Sequence, residues 1–403
     1  MEQVNGLMDE VRACYLSGVR NNRDDGPAAL VRLVATGQAE SRAELARLSG
    51  LAASSVSLRV EQLIEAGLFA EEGAGASRGG RRPRRLRLAR AAGVFLIADL
   101  GAHHARLAVA DLAGAPLALA DLTCDIAVGP EKTLTTVLDE LRALARDQGL
   151  SDLPVRGVGI GLPGPVDPAT GQVVSPSRMP GWNDFPVRDF LAGHAAVPVL
   201  VENDANLMAV GEHRHSWPEL DNLMVIKLGT GIGCGVIVDG RLHRGRGAAG
   251  DISHVRILSE ATVDCSCGHP DCLEAHASGA ALAAALAGQG IAVDHPSRIV
   301  ELVTDGVPQA TSAVRTAGRL IGDVLTALVN FFNPDALVIG GSLSGAEPLV
   351  ATVRGAIYER CLPLATRNLE IATSRAGRNA SILGAGHLLL DASGDWIEQA
   401  LDR

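Results

Sequence analysis

Between residues 28 and 69 the apolar positions recur at helical spacing. Leu30, Val31 and Val34 mark one face of a first helix, and Ser41 with Glu44 forms the S-x-x-E start signal of a second that ends at Gly50. Val56, Val60, Leu63 and Ile64 fall at i, i+4, i+7 and i+8 of a third helix, which leaves Ser54, Ser55, Ser57 and Arg59 mainly outward. Helix, glycine turn, helix is the pattern of a helix-turn-helix. After Gly67 the period shortens, and Leu68, Phe69 and Ala70 read as a short strand closed off by Glu71 and Glu72.

Farther along, Val94 to Ile97 and the alternation of Leu107 and Val109 predict two strands joined at Asp99-Leu100-Gly101-Ala102-His103. Apolar runs that end in glycine-rich turns return at 157–167, 197–212, 223–240 and 336–343, alternating with helical stretches such as 132–147 and 312–332. This alternation predicts an α/β body behind the helix-turn-helix.

Composition sharpens that picture in three ways. A chain of 403 residues with 47% hydrophobic composition can bury two or three cores. The acidic N-terminus lacks the apolar region of a secretory signal and no apolar run approaches bilayer length, so a cytoplasmic protein with no membrane partner is expected. Seven cysteines, three of them between 265 and 272, suit a reducing compartment and a metal site better than a disulfide framework.

Charge is unevenly placed. Residues 1–90 hold 14 Arg against 11 Asp and Glu, while the remainder holds 22 basic and 35 acidic residues. The only lysines are Lys132 and Lys227. Around a Gly-Gly tip, Arg78, Arg81, Arg82, Arg84, Arg85, Arg87 and Arg90 would make a two-stranded wing that neutralises phosphates or enters a minor groove while the third helix lies in the major groove. A basic linker is the alternative; the position directly after a helix-turn-helix favours a double-stranded DNA operator as partner.

Two further stretches carry candidate chemistry. A carboxylate at a strand end, as Asp204 is in "VENDAN", can accept a proton from a hydroxyl and orient it, or can cap the helix that begins near Ala205. "LGTGIGCG" supplies Gly229, Thr230, Gly231 and Gly233 for backbone phosphate binding, or is a hairpin tip.

Taken together, the helix-turn-helix, "VENDAN" and the ordered glycine turns resemble the ROK family of sugar kinases and sugar-responsive repressors, built on the actin-like ATPase fold. The resemblance runs from the helix-turn-helix through Gly341. It implies a winged helix-turn-helix over 1–90, a small lobe over 91–207 completed by the C-terminal helix near 381–403, and a large lobe over 208–380, with the sugar in the cleft between lobes. It makes Asp204 the general base and Asn203 a hydroxyl ligand, assigns Asp99 and Gly101 to the first phosphate turn, and puts Gly340 and Gly341 near the adenosine side of a nucleotide.

His254 with Cys265, Cys267 and Cys272 gives one nitrogen and three sulfurs, the closed tetrahedral set of a structural Zn2+ site that would fix the loop carrying Asp251 and Glu274. His269, between the cysteines, suits a turn better than a ligand. The family motif G-E-x-G-H places a Glu, the zinc-binding His and the Glu after the last Cys on sugar hydroxyls. Here Asp251 replaces that Glu, Ser253 replaces the Gly, and His254 and Glu274 match. A shorter carboxylate accepts a hydroxyl from a different position, so sugar binding is expected and the identity of the sugar stays open.

The family's first phosphate loop reads D-x-G-x-T, usually with a second Gly. This chain keeps Asp99 and Gly101 but has Ala102 and His103 for the Gly and Thr, which would crowd the transferring phosphoryl. The expectation is a sugar-responsive DNA-binding regulator, a homodimer or homotetramer that binds a sugar or sugar phosphate. The alternative is an ATP-dependent hexose or N-acylhexosamine kinase using ATP and Mg2+ and carrying a DNA-binding domain. Leu58 follows Ser57 where the family often has a basic residue, so the operator sequence stays open.

Overall fold

The computed structural model describes residues 26–74, 84–259 and 262–401. Arg78, Arg81 and Arg82 of the expected wing lie outside the described residues. The first described elements are three short helices, α1 (Pro27–Ala35), α2 (Arg42–Ser49) and α3 (Ala53–Glu65), followed by an antiparallel ribbon of β1 (Phe69–Ala74) and β2 (Arg84–Leu88).

The local chemistry explains the boundaries. Ser41 caps α2 by accepting the Glu44 N–H, and the Glu44 carboxylate in turn accepts the Glu40 N–H at 2.8 Å and the Ser41 hydroxyl at 3.0 Å, two bonds that hold the Glu44 carboxyl below its ordinary range. Gly50 ends α2 in the left-handed conformation at φ 72°. Leu30, Val31, Leu45, Val56, Val60 and Leu63 are fully buried together with Leu68 and Leu86 of the ribbon. The first strand is longer than the apolar run suggested: Glu71 and Glu72 lie inside β1, opposite Leu86 and Arg85, rather than after it. Their charges are matched, Glu71 by Arg42 at 3.1 Å and Glu72 by Arg87 at 3.5 Å.

Two five-stranded sheets follow. The first contains β3 (Val94–Leu100), β4 (His104–Asp111), β5 (Pro116–Thr123), β6 (Val155–Leu162) and β7 (Val199–Asn203), in the order β5-β4-β3-β6-β7. The helices α4 (Pro130–Asp147) and α5 (Val187–Ala195) belong to this half. The second contains β8 (Leu223–Leu228), β9 (Ile232–Val238), β10 (Arg241–Leu242), β11 (Ala336–Gly340) and β12 (Glu370–Thr373), in the order β10-β9-β8-β11-β12. Both sheets have two antiparallel pairings on one side of the first strand and two parallel pairings on the other. The topology is therefore duplicated. Asp99 of β3 pairs with Gly161 just as Lys227 of β8 pairs with Gly340, and the sequences continue as Asp-Leu-Gly-Ala and Lys-Leu-Gly-Thr.

A helix follows the last strand of each sheet and packs on the other sheet. α6 (Asp204–Ser216) runs from the first sheet onto β8 and β9, where Gly233 and Gly235 leave room for Ala205 and Ala209. The second half also holds α7 (Leu273–Ala277), α8 (Gly279–Ala287), α9 (Pro296–Thr304), α10 (Pro308–Phe332), α11 (Glu347–Arg360) and α12 (Pro363–Thr366). From it, α13 (Ala380–Asp391) returns to the first sheet, with Ala385 and Leu389 over Gly157 and Gly159. The two crossing helices touch backbone to backbone. A Cβ on Gly211 would sit 1.9 Å from the Ala380 carbonyl oxygen, and one on Gly384 would sit 1.8 Å from that of Leu207.

The C-terminal stretch is two helices rather than one. After α13 the chain breaks at Ala392 and Ser393, and α14 (Gly394–Leu401) packs on α1. Trp396 and Ile397 of α14 share one apolar core with Leu30, Val31 and Leu63 of the first three helices, with Phe95 and Ile97 of the first sheet and with Leu389 of α13. No helix among the described residues is long and apolar enough to cross a membrane.

Candidate functional site

The duplicated first strands, β3 and β8, end facing each other across the cleft between the sheets, with the start of α6 beside them. Asp204 is the first residue of α6, and Asn203 caps it: Asn203 Oδ1 accepts the N–H of Ala205 at 3.0 Å and of Asn206 at 3.2 Å. The cap is thus Asn203, which frees the Asp204 carboxylate from capping. Asn203 Nδ2 donates to the Gly164 carbonyl at 3.1 Å, so much of this carboxamide's bonding capacity goes into fixing the cleft floor.

Lys227, at the end of β8, reaches Asp204 Oδ2 at 2.7 Å and Asp99 Oδ2 at 3.6 Å. Burial opposes the lysine charge, but the two carboxylates outweigh it and raise the ammonium above the ordinary lysine range. Burial, reinforced by the charge of Asp99, raises the Asp204 carboxyl against the pull of Lys227. Asp99 Oδ1 is buried without a hydrogen-bond partner among the described residues. Sequence reasoning gave Lys227 no role. The signal was one of only two lysines in an arginine-rich chain, standing directly before Leu-Gly-Thr-Gly.

The turn after Asp99 is also filled differently from expectation. His103 points outward, its side chain 69% exposed and 3.8 Å from Asp125. The imidazole of the next residue, His104, folds back over Gly101, where an added Cβ would lie 2.5 Å from His104 Cε1. Its ring meets the His295 ring edge to face, with centroids 5.6 Å apart, so a pair of histidines links the first turn to the start of α9. Partial desolvation at the cleft mouth, and then the positive charges of Lys227, His295 and Arg378, hold His104 below the ordinary histidine range.

On the other side of the β8–β9 turn lies Glu274. Its carboxylate accepts from Arg178 Nε at 3.0 Å and from the Ile232 N–H at 3.3 Å, and Gly231 is needed there because a Cβ would come within 2.8 Å of Glu274 Oε2. Arg178 is a second residue that the sequence reading did not single out. Gly229 and Thr230 are half-buried at the turn, and their carbonyls accept the N–H groups of Gly279 and Ala280 at the start of α8. Gly340 and Gly341 have packing reasons of their own: a Cβ on the first would strike Met208, and one on the second, at φ 85°, would lie 2.3 Å from the Leu228 carbonyl oxygen.

His254, Cys265, Cys267 and Cys272 converge with all ligand atoms within 4.8 Å of one another. His254 Nδ1 is 3.6 Å from Cys265 Sγ, and Cys267 Sγ is 3.6 Å from Cys272 Sγ. A tetrahedron with metal–sulfur bonds of ~2.3 Å has edges of nearly this length, so the donor set and its spacing fit a closed four-coordinate metal site. His269 is exposed and outside the group, its carbonyl closing a turn with the Cys265 N–H. Backbone bonds from Leu273 to Val255 and from Glu274 to Ser253 tie together the segments that carry His254 and Cys272, which links the Cys/His cluster directly to Glu274. The two departures from the family motif contact each other: the Ser253 hydroxyl donates to Asp251 Oδ1 at 2.6 Å.

In the helix-turn-helix, Ser54 is exposed and Ser55, Ser57 and Arg59 are half-buried, while Leu58 stands 59% exposed beside them. Arg85 of the wing is held by Glu40 at 2.5 Å, so this arginine is already paired within the domain.

Residues 96–392 match the ROK family model. The chain belongs to the ROK family. Among curated relatives it is 30% identical over 360 residues to the xylose repressor of Caldicellulosiruptor bescii, covering 85% of this chain and 90% of that protein. It is likewise 30% identical over 360 residues to the xylose repressor of Bacillus subtilis, covering 89% of this chain and 92% of the relative. The glucokinase of Thermotoga maritima is 33% identical over 260 residues but covers only 59% of this chain. Among solved structures, a ROK family transcriptional regulator described as a homolog of the E. coli MLC protein superposes with a TM-score of 0.78 over 94% of this chain and 98% of its own, at 24% identity. A ROK family glucokinase from Streptomyces griseus, in complex with glucose and AMPPNP, gives a TM-score of 0.64 at 28% identity over 73% of this chain and 99% of its own. The repressor and regulator relatives therefore cover 85–94% of this chain, and the glucokinases 59–73%.

Proposed function

We propose that this ROK family member is a sugar-responsive transcriptional repressor. Residues 1–90 would form the reading head and residues 91–403 a kinase-like sensor with lobes 91–207 and 208–380, the first completed by the C-terminal segment. The observation that carries the reading is the shared core: the helix-turn-helix, α14 and the first sheet bury their apolar residues against one another, so the reading head is built onto the sensor. The match of the repressor relatives across 85% or more of the chain points the same way.

In this reading α3 presents Ser54, Ser55, Ser57 and Arg59 to an operator, and Arg81 and Arg82 serve the wing tip. The sugar lies in the cleft against Asn203, Asp204, Asp251, His254 and Glu274. His254 serves both centres, with Nδ1 toward the metal and Nε2 left for a hydroxyl. The metal is structural zinc, since three thiolates and an imidazole leave no open position. Phe331, Leu362 and Leu364, exposed apolar side chains near the Asn330–Leu362 hydrogen bond, supply a surface for a homodimer or homotetramer.

The test is binding of the full-length protein to DNA from upstream of its own coding region, at several salt concentrations and with a panel of sugars. Affinity that falls steeply with salt and changes with one of the sugars is expected. Absence of specific binding sinks the reading.

A second reading, an ATP-dependent hexose or N-acylhexosamine kinase, is favoured by Asp204 at the strand end and by Gly229, Thr230 and Gly231 at the second phosphate turn, with Asp99, Gly101, Gly340 and Gly341 completing a nucleotide site. Phosphorylation of hexoses and N-acetylhexosamines, with Asp204→Asn as the blank, decides it. The donor set at the cleft floor argues against it. A catalytic Mg2+ demands several oxygen ligands at ~2.0–2.1 Å, whereas the carboxylates of Asp99 and Asp204 already face an ammonium.

A further inference from the structure

We propose that Lys227 is a built-in substitute for the divalent cation at the cleft floor, so that the cleft closes on a neutral polyhydroxylated ligand without any metal. Asp99 and Asp204 come from different parts of the chain, one at the end of β3 and the other at the start of α6. Their charges converge on a single ammonium, at 3.6 and 2.7 Å. The three side chains are 16%, 11% and 22% exposed, so solvent screens the group poorly. The duplicated topology puts Lys227 at the position in the second sheet that Asp99 holds in the first, and the two face each other across the cleft. A mobile ion bridging the lobes is thereby replaced by a covalently attached one.

The remaining chemistry follows from the charge count. Two carboxylates and one ammonium leave the floor net negative, which disfavours a phosphate group there. Asp99 Oδ1, buried and unpartnered among the described residues, can accept a hydrogen bond from a ligand hydroxyl. The inference rests on the sensor reading for the identity of the cleft. It does not depend on DNA binding, and its test can fail while operator binding succeeds, or the reverse.

The sequence makes the experiment clean, because Lys132 and Lys227 are the only lysines and Lys132 is exposed. Full-length zinc-loaded protein is treated with acetic anhydride, which acylates neutral amines, and both sites are followed by mass spectrometry with and without millimolar MgCl2 or MnCl2. Lys227 should acylate at least roughly tenfold more slowly than Lys132, as burial and every unit of raised pKa require, and the divalent ions should leave that ratio unchanged. A companion titration follows Mn2+ by electron paramagnetic resonance. The wild type should hold no Mn2+ at the cleft, and Lys227→Ala, which leaves Asp99 and Asp204 facing each other, should gain at least a tenfold tighter site that is lost again in Lys227→Ala/Asp99→Asn. Deprotection of Lys227 by Mg2+ or Mn2+, or a wild-type Mn2+ site abolished by Asp99→Asn, would overturn the proposal. Should Lys227→Ala fail to fold, the wild-type labelling ratio and its response to metal still decide between the two outcomes.

Discussion

Replacing glycine by alanine inside a helix ordinarily stabilises it, by about 1 kcal/mol in helix propensity and through the reduced entropy of the unfolded chain. At Gly384 the sign should reverse. The added Cβ would lie 1.8 Å from the Leu207 carbonyl oxygen, 2.7 Å from its carbon and 3.0 Å from the Gly211 nitrogen. All three are backbone atoms of α6, so no side chain can rotate away. A carbon–oxygen contact relaxes only at about 3.3 Å, so α6 and α13 must part by roughly 1.5 Å along their crossing. Overpacking costs ~1–3 kcal/mol even where side chains yield, which places Gly384→Ala at the upper end of that range and leaves about 2 kcal/mol net after the helix gain. Gly355→Ala is the matched control: it lies in the interior of α11 with nothing within 4 Å of the added Cβ, and it should stabilise by about 0.5–1 kcal/mol. Urea unfolding followed through Trp182, Trp217 and Trp396 would report both variants, since these tryptophans sit in the first-sheet core, at the end of α6 and on α14. A Gly384→Ala midpoint at or above the wild type would refute the close-crossing argument.

Three further outcomes are expected. Burial, and then the positive charges around it led by Arg214, pushes His387 down to about 4 from an ordinary 6.5. The unfolded chain therefore binds a proton that the fold excludes, and stability falls by ~3 kcal/mol as pH drops through that window; His387→Gln should flatten the loss, and an unchanged acid limb in chemical unfolding would count against the assignment. Chelation under denaturing conditions should release one equivalent of zinc per chain, and Cys267→Ser should weaken sugar binding in calorimetry, while absence of bound zinc in protein purified without chelator would remove the metal centre. Ser253→Gly deletes the 2.6 Å bond to Asp251, worth about 1 kcal/mol, or roughly fivefold in affinity; the change should differ between hexoses and N-acetylhexosamines, and an equal shift for every sugar would exclude a role in selectivity.

What could be read from the sequence was mostly local chemistry. The Ser41–Glu44 start signal, the glycine stop at Gly50 and the apolar face of α3 each depend on neighbours a few residues away, and each has its structural counterpart. The length of β1 was not legible, because Glu71 and Glu72 look like strand terminators until Arg42 and Arg87 are brought beside them. The histidine over Gly101 was misassigned for a related reason. Consecutive residues of a hairpin point to opposite faces, and only the pairing of the two strands decides that the His104 ring folds back over Gly101 while His103 faces Asp125. The convergence of His254 with Cys265, Cys267 and Cys272 was legible because three of the four are crowded into eight residues. Lys227 was not, because a single lysine has no periodicity and its partners lie on remote segments. The duplicated sheet order was equally invisible, since spacing along the chain reports strands but not who pairs with whom.

The shared core of the reading head, α14 and the first sheet bears on energetics as well as architecture. A head hung on a flexible linker would keep its own orientation whatever happened in the cleft. Here α6 begins at Asp204 and carries Arg214 near its other end, where it pairs with Asp391 at 3.1 Å, beside Arg32 of α1. If occupancy of the cleft changes operator affinity by some factor, thermodynamic linkage requires that operator binding change sugar affinity by the same factor. Operator DNA is then itself an effector of the sugar site, and sugar titrations with and without DNA measure one coupling energy from two directions.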